Sequence, residues 1–222
     1  PVKTRIFLFL IALTTAVGFA ADQSVKPGIN KSFLDPKLKV NAWVERFERE
    51  GREVFDHRAK IVERAGIKPG ATVADIGAGT GMFGPLLAEA VGKRGKVFAV
   101  DIVPKFLARI RGQSADSGRK NIATVLCSAK STKLPKNSVD LAFICDTYHH
   151  FEFPAQTLAS LHAALRSGGE IYLIDFKRVK GESSDWILNH VRAGEAVFAG
   201  EIEAAGFQRI GRVKLLKDNY IL

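Results

Sequence analysis

The chain has 222 residues, 46% hydrophobic and 25% charged, which is enough to bury one sizeable core and too apolar for a disordered chain. Its formal net charge of +10 would suit an anionic partner only if the basic residues were gathered. They are scattered: Lys93-Arg94-Gly95-Lys96, Arg109 to Arg119 and Lys177-Arg178-Val179-Lys180 interleave with glycine and acids and lack stacking aromatics, so no nucleic-acid partner is expected.

In chain order, Lys3 and Arg5 precede the apolar run Ile6 to Leu13, and Gly18-Phe19-Ala20 supplies small residues at cleavage positions. Residues 1–21 therefore read as a signal peptide cut near Ala20, which predicts a periplasmic or secreted protein. An uncleaved N-terminal anchor is the alternative, although Thr14, Thr15 and Gly18 interrupt the run and no stable membrane span is expected. Residues 22–39, rich in Lys, Pro, Gly, Asn and Ser, read as a linker or an arm laid on the surface, poorly specified by sequence. From Val40 to Ala65, Val40, Trp43, Val44, Phe47, Val54, Phe55, Ile61 and Val62 recur at helical spacing around Gly51, which predicts two helices that could cap a site. Gly66 to Gly70 ends the second.

Strand and helix patterns then alternate. Strands are predicted at Thr72–Ile76, Lys96–Asp101, Ile122–Leu126, Val139–Cys145 and Glu170–Asp175. Helices are predicted through Phe83 to Val91, Pro104 to Ile110 and Pro154 to Leu165. Strands separated by single helices imply a parallel sheet with right-handed crossovers. Helices near Ser183–His190 and Gly194–Ala205, with a strand over Phe207–Leu216, complete one side. Cys127 and Cys145 fall at ends of strands on opposite halves of such a sheet, beyond disulfide reach.

Asp75 closes the first strand, and Gly77, Gly79 and Gly81 follow at alternate positions before a helix. Bare main chain there lets a ligand lie against the turn, and free N–H groups at the helix start would offer donors; a tight structural turn is the plainer reading. Asp101 closes the second strand, placed to accept both hydroxyls of a ribose or merely to cap the next helix. A nicotinamide dinucleotide is the rival ligand, and Gly79-Thr80-Gly81-Met82-Phe83-Gly84 does match G-x-G-x-x-G. That match is out of register with the strand end, and Asp75 would repel a pyrophosphate while favouring a cationic ligand.

These residues resemble a known family. Val73-Ala74-Asp75-Ile76-Gly77-Ala78-Gly79-Thr80-Gly81, Val100-Asp101, Leu134 to Leu141 and Leu165-Arg166-Ser167-Gly168-Gly169 look like successive motifs of class I S-adenosylmethionine-dependent methyltransferases. The resemblance runs from about Lys68 to Asp175. It implies an α/β fold with a doubly wound, mostly parallel seven-stranded sheet, helices on both faces and an N-terminal helical cap, the methyltransferase domain spanning residues 67–222. It also implies S-adenosylmethionine as cofactor and methyl transfer to an O, N or S nucleophile of a small molecule, with a non-catalytic binding module of the same fold and a protein or nucleic-acid methyltransferase as the alternatives. On this reading Asp75, Gly77, Ala78, Gly79 and Gly81 hold the methionine moiety, Asp101 and Ile102 the ribose side, and Ser128-Ala129 the adenine. Ser128 stands where many relatives carry an acid, and Arg166-Ser167 where Lys-Pro is usual.

The resemblance puts Cys145 to Phe151 opposite the reactive methyl group. Asp146, His149 and His150 are candidate acid–base groups, Asp146 also touching the cofactor, although the histidines could simply bond the loop backbone. Alignment supplies much of the rate of methyl transfer, so a general base is optional. No metal site is expected, because adjacent histidines diverge and a third ligand would have to come from afar. Asp185 to Gly194 could close over the acceptor, with His190 sharing the proton transfer and Arg192 gripping an anionic group; a capping histidine and a solvated arginine are equally open. Arg52, Asp56 and His57 are weaker candidates. The segment Asp146-Thr147-Tyr148-His149 lacks the Pro-Pro pair with which nucleic-acid amino methyltransferases grip a flipped base.

Overall fold

The computed structural model describes residues 23–222. The expected signal peptide and its cleavage site lie outside the described residues.

Residues 23–39 form successive turns laid against the rest of the protein, as the arm of the two readings would. The Val25 N–H donates to the Glu152 carbonyl, Lys26 Nζ to the carbonyls of Asn189 and His190, and Asn30 Nδ2 to the His150 carbonyl. This order comes from distant partners and from Phe33 and Leu38 turning inward, not from local propensity, which is why the sequence specifies it poorly. Three helical segments follow instead of two: α1 (Val40–Phe47), α2 (Glu53–Asp56) and α3 (Arg58–Arg64), with a break at His57. Gly66 then turns the chain with φ of 62°, a value that favours glycine.

The sheet contains six strands among the described residues: β1 (Thr72–Ile76), β2 (Lys96–Asp101), β3 (Ile122–Leu126), β4 (Val139–Cys145), β5 (Leu165–Phe176) and β6 (Asn219–Ile221). Their order is β3-β2-β1-β4-β5-β6, all parallel except β6. The helices between them are α4 (Gly84–Val91), α5 (Pro104–Asp116), α6 (Pro154–Ala164), α7 (Asp185–His190) and α8 (Glu195–Ala204). Alternation sorts the side chains of the sheet. Val73, Val97, Leu141 and Phe143 pack on α3 and α4 with Ile61, Leu87 and Val91, while Ala74, Val100, Ala142 and Ile144 pack on α6 and α8 with Leu158, Leu161 and Phe198. The sheet is therefore doubly wound, as expected.

The predicted strand over Phe207–Leu216 does not form. Only Val213 makes a bridge, to Ile221, at the place a seventh strand would occupy. β6 is three residues long and can template little beyond that bridge, and Ile210 is left 78% exposed. Among the described residues no helix is long and apolar enough to cross a membrane. Cys127 and Cys145 are both free thiols, and β2 and β1 stand between their strands.

Candidate active site

β1 is flanked by β2 on one side and β4 on the other, so the chain order reverses at its carboxyl end and a crevice opens there. A cavity of about 640 Å³ fills that crevice, with the glycine turn, Asp101, Ile102, Ser128-Ala129, Asp146, His149, His150 and His190 on its lining and the arm and α1 over it. Of the sequence-predicted site residues, Gly81 and Arg192 stand outside the cavity wall, as do the weaker candidates Asp56 and His57.

The glycine turn is held by its own amides. Gly77 and Ala78 donate to the Val100 carbonyl at 2.8 and 3.0 Å, Gly79 donates to Asp101 Oδ2 at 2.7 Å, and Gly81 donates to the Ala78 carbonyl. The N–H groups of Gly77, Ala78, Gly79 and Gly81 are therefore spent within the protein and shape the turn. Two of the glycines also answer to the protein's own packing. A Cβ on Gly77 would lie 2.2 Å from Thr147 Cγ2, and one on Gly81 would lie 2.7 Å from Ile110 Cγ1; at Gly79 the nearest atom is 3.8 Å away. Gly79 is thus the glycine whose surface stays open.

Asp75 is 3% exposed, and its Oδ2 has no hydrogen-bond partner although it lines the cavity. Burial, with Asp101 nearby, raises its pKa to about 7. A buried carboxylate without a partner is an attractive seat for a cation, which would restore its ionised form. Asp101 both shapes the next helix and faces the cavity. Its Oδ1 accepts from the Val103 N–H and its Oδ2 from the Gly79 N–H, each at 2.7 Å, and each oxygen keeps a lone pair for a ligand hydroxyl. Burial raises its pKa to about 6 against the pull of those amides. At the far rim the Ser128 amide closes a turn with Ser131, and the Ala129 carbonyl accepts from Thr157 Oγ1.

The opposite end of the cavity holds the acceptor-side candidates, and their roles differ. Asp146 sits at φ of 49°, a left-handed conformation that Asp tolerates better than most residues. Its Oδ2 meets Arg52 Nη2 and its Oδ1 meets Asn219 Nδ2, both at 2.6 Å. Both oxygens being occupied, Asp146 ties the helical cap and β6 to the end of β4 and is poorly placed to shuttle protons. His149 is 1% exposed; its Nδ1 lies 2.8 Å from Asp175 Oδ1 and its N–H donates to Asp175 Oδ2. A carboxylate only accepts, so His149 Nδ1 carries the proton of that bond. Asp175 was not foreseen, yet it ends β5 as Asp75 and Asp101 end β1 and β2, and that parallel was visible in the sequence.

His150 and His190 approach within 3.3 Å, Nε2 to Nε2. Burial and neighbouring imidazoles lower the His150 pKa to about 2, and burial with nearby His149 lowers that of His190 to about 4. Both rings are neutral at physiological pH and are weak bases. Around them stand Phe33, edge-on to His150 at 5.1 Å, and Trp186, stacked on His190 at 4.7 Å, with Trp43 beside Phe33. Arg192 turns away from this chamber. Glu201 binds it in a two-pronged ion pair at 2.7 and 2.5 Å, and its guanidinium lies 4.5 Å from the centre of the Phe198 ring, so it is held against α8 and is not available to grip an acceptor. Arg52 was undervalued by the sequence, because its partner Asp146 lies 94 residues away.

Residues 67–212, more than half of the chain, match a family described as a methyltransferase domain. The chain belongs to that family. This methyltransferase is 31% identical over 118 residues to a ubiquinone/menaquinone biosynthesis C-methyltransferase of Hahella chejuensis, covering 53% of this chain and 47% of the other. A SAM-dependent methyltransferase of Aquifex aeolicus superposes with a TM-score of 0.73 at 26% identity, covering 83% of this chain and 97% of the other. A phosphoethanolamine N-methyltransferase of Haemonchus contortus, solved with phosphomonomethylethanolamine and S-adenosylhomocysteine, shares the fold with a TM-score of 0.60 at 19% identity, covering 77% of this chain and 44% of that one. The chain spans about half the length of the curated relatives it matches. The partnerless Asp75 Oδ2 beside an open Gly79 suits a ligand that carries positive charge.

Proposed function

We propose that this methyltransferase transfers the methyl group to the oxygen, nitrogen or sulfur of a small acceptor seated between the histidines and the aromatic wall of Phe33, Trp43, Phe47 and Trp186. One observation carries the reading: a single cavity joins the unsatisfied Asp75 carboxylate at one end to that aromatic and imidazole chamber at the other. In the proposed arrangement Asp75 takes the methionine ammonium, the main chain at Gly77, Ala78, Gly79 and Gly81 flanks the methionine, Asp101 and Ile102 the ribose, and Ser128-Ala129 the adenine. The neutral rings of His150 and His190 accept hydrogen bonds from the acceptor and orient its nucleophile, while Asp146 positions the loop through Arg52 and Asn219. Alignment of nucleophile and methyl group supplies most of the rate.

Calorimetric titration with S-adenosylmethionine and with NAD tests the donor half of the proposal. Binding of S-adenosylmethionine that is weakened in Asp75→Asn supports it, and binding of NAD alone removes it. Methylation of a ring carbon in a hydroxylated aromatic is a second reading, favoured by the aromatic chamber and by the C-methyltransferase relatives. Mass and NMR analysis of products from such a substrate separates carbon from oxygen transfer. Export, read from Ile6 to Ala20, belongs to the proposal as well, and cell fractionation with N-terminal sequencing of the mature chain tests it.

A further inference from the structure

The cluster of His149, His150 and His190 is more than an acceptor wall. Adjacent histidines would diverge on a strand, but here a 3₁₀ turn over Tyr148–His150 brings the rings of His149 and His150 to 4.4 Å between centroids. α7 then delivers His190 from the other side, with ring centroids 5.2 and 5.0 Å from those of His149 and His150. One ring nitrogen from each residue lies within 4.8 Å of the other two. We propose that these three histidines form a binding site for a divalent transition-metal ion of the zinc type, with an open coordination position facing the cavity.

Three features support this proposal independently. The 3.3 Å separation of the His150 and His190 Nε2 atoms matches the edge of a tetrahedron with metal–nitrogen bonds of about 2.0–2.1 Å. Asp175 accepts from His149 Nδ1, the carboxylate–histidine arrangement that fixes a ligand's tautomer and aims its second nitrogen at a metal. The other two rings are held as well: His190 by stacking on Trp186, and the His150 backbone by Asn30 Nδ2 on its carbonyl. Three imidazoles with no fourth protein ligand are the donor set of a site that activates a bound molecule, where a purely structural zinc site closes its fourth position with protein.

The use of such an ion rests on the proposed methyl transfer. A hydroxyl or thiol acceptor taking the open position would lose its proton to water, the resulting anion would form the new bond to the methyl carbon, and the methyl–sulfur bond would break to leave a neutral thioether.

The test is metal uptake by the chelator-treated full chain, read by calorimetry with Zn²⁺ and by the visible absorption of Co²⁺. S-adenosylhomocysteine binding serves as the measure of folding. One ion per chain is expected, bound at least roughly tenfold more weakly in His190→Ala and in His150→Ala, and about 10- to 100-fold more weakly in Asp175→Asn. The double variant His57→Ala/His162→Ala, altering two exposed histidines remote from the cluster, should bind as the parent does. Absence of uptake in protein that still binds S-adenosylhomocysteine overturns the metal site and leaves the methyl-transfer reading standing. Uptake that survives both His190→Ala and His150→Ala overturns it too.

Discussion

Asp75 presents to the cavity a carboxylate oxygen that no group of the protein satisfies. Asp75→Asn removes the charge but keeps the shape, and it should weaken S-adenosylmethionine binding by about 10- to 100-fold, the loss of one charge-assisted hydrogen bond, measured by calorimetry. Gly77→Ala should be severe for a different reason. Its Cβ would overlap Thr147 at a φ of 72°, and a loss of about 2 kcal/mol or more in denaturant unfolding is expected, only partly relieved by Thr147→Gly, which clears the overlap and leaves the strain. Arg192 illustrates what residue-by-residue reading misses. An arginine ahead of a glycine break suggests a ligand-gripping group, whereas its partner Glu201 comes from the following helix. Arg192→Ala should cost about 1–3 kcal/mol of stability, as expected when one half of a half-buried, charge-assisted pair is removed, with the KM for the acceptor little changed in the folded fraction.

At the scale of elements, β1 to β5 and most of the helices followed from periodicity, since each buries a face fixed by its own sequence. The arm over residues 23–39 and the segment Phe207–Leu216 did not, because their states depend on partners elsewhere. The first gains order from Glu152, His150 and the end of α7; the second has strand-like alternation but too short a neighbour to pair with. The convergence of His190 on His150 across 40 residues was equally hidden. Asn30 is the arm's buried anchor, bonded to the His150 carbonyl and to Glu152. Asn30→Ala should raise the KM for the acceptor several-fold while leaving S-adenosylhomocysteine affinity within about twofold, since the arm covers the acceptor end of the cavity; steady-state kinetics beside calorimetry would check both.

For the whole molecule the protonation balance has a definite sign. Asp75 and Asp101 have folded pKa values of about 7 and about 6, above the ordinary 3.8. Between those limits the folded state binds more protons than the unfolded one, so these two groups make the free protein less stable as pH rises through that window. His150 and His190, lowered to about 2 and about 4, act in the opposite sense, and their contribution is lost as pH falls below the ordinary 6.5. A cation at Asp75 favours its ionised form, so S-adenosylmethionine should raise the Tm more at about pH 8 than at about pH 6 and release protons on binding at the lower pH. Thermal scans of the parent and of Asp75→Asn would show this difference in the first and not in the second. The cavity's size also has a consequence for selectivity. A chamber of about 640 Å³ must house adenosine, methionine and acceptor together, so only the reacting head of a large substrate fits inside. A greasy chain attached to that head would trail past Trp186, itself 45% exposed at the rim, and the enzyme should discriminate sharply among head groups while remaining indifferent to the length of the tail.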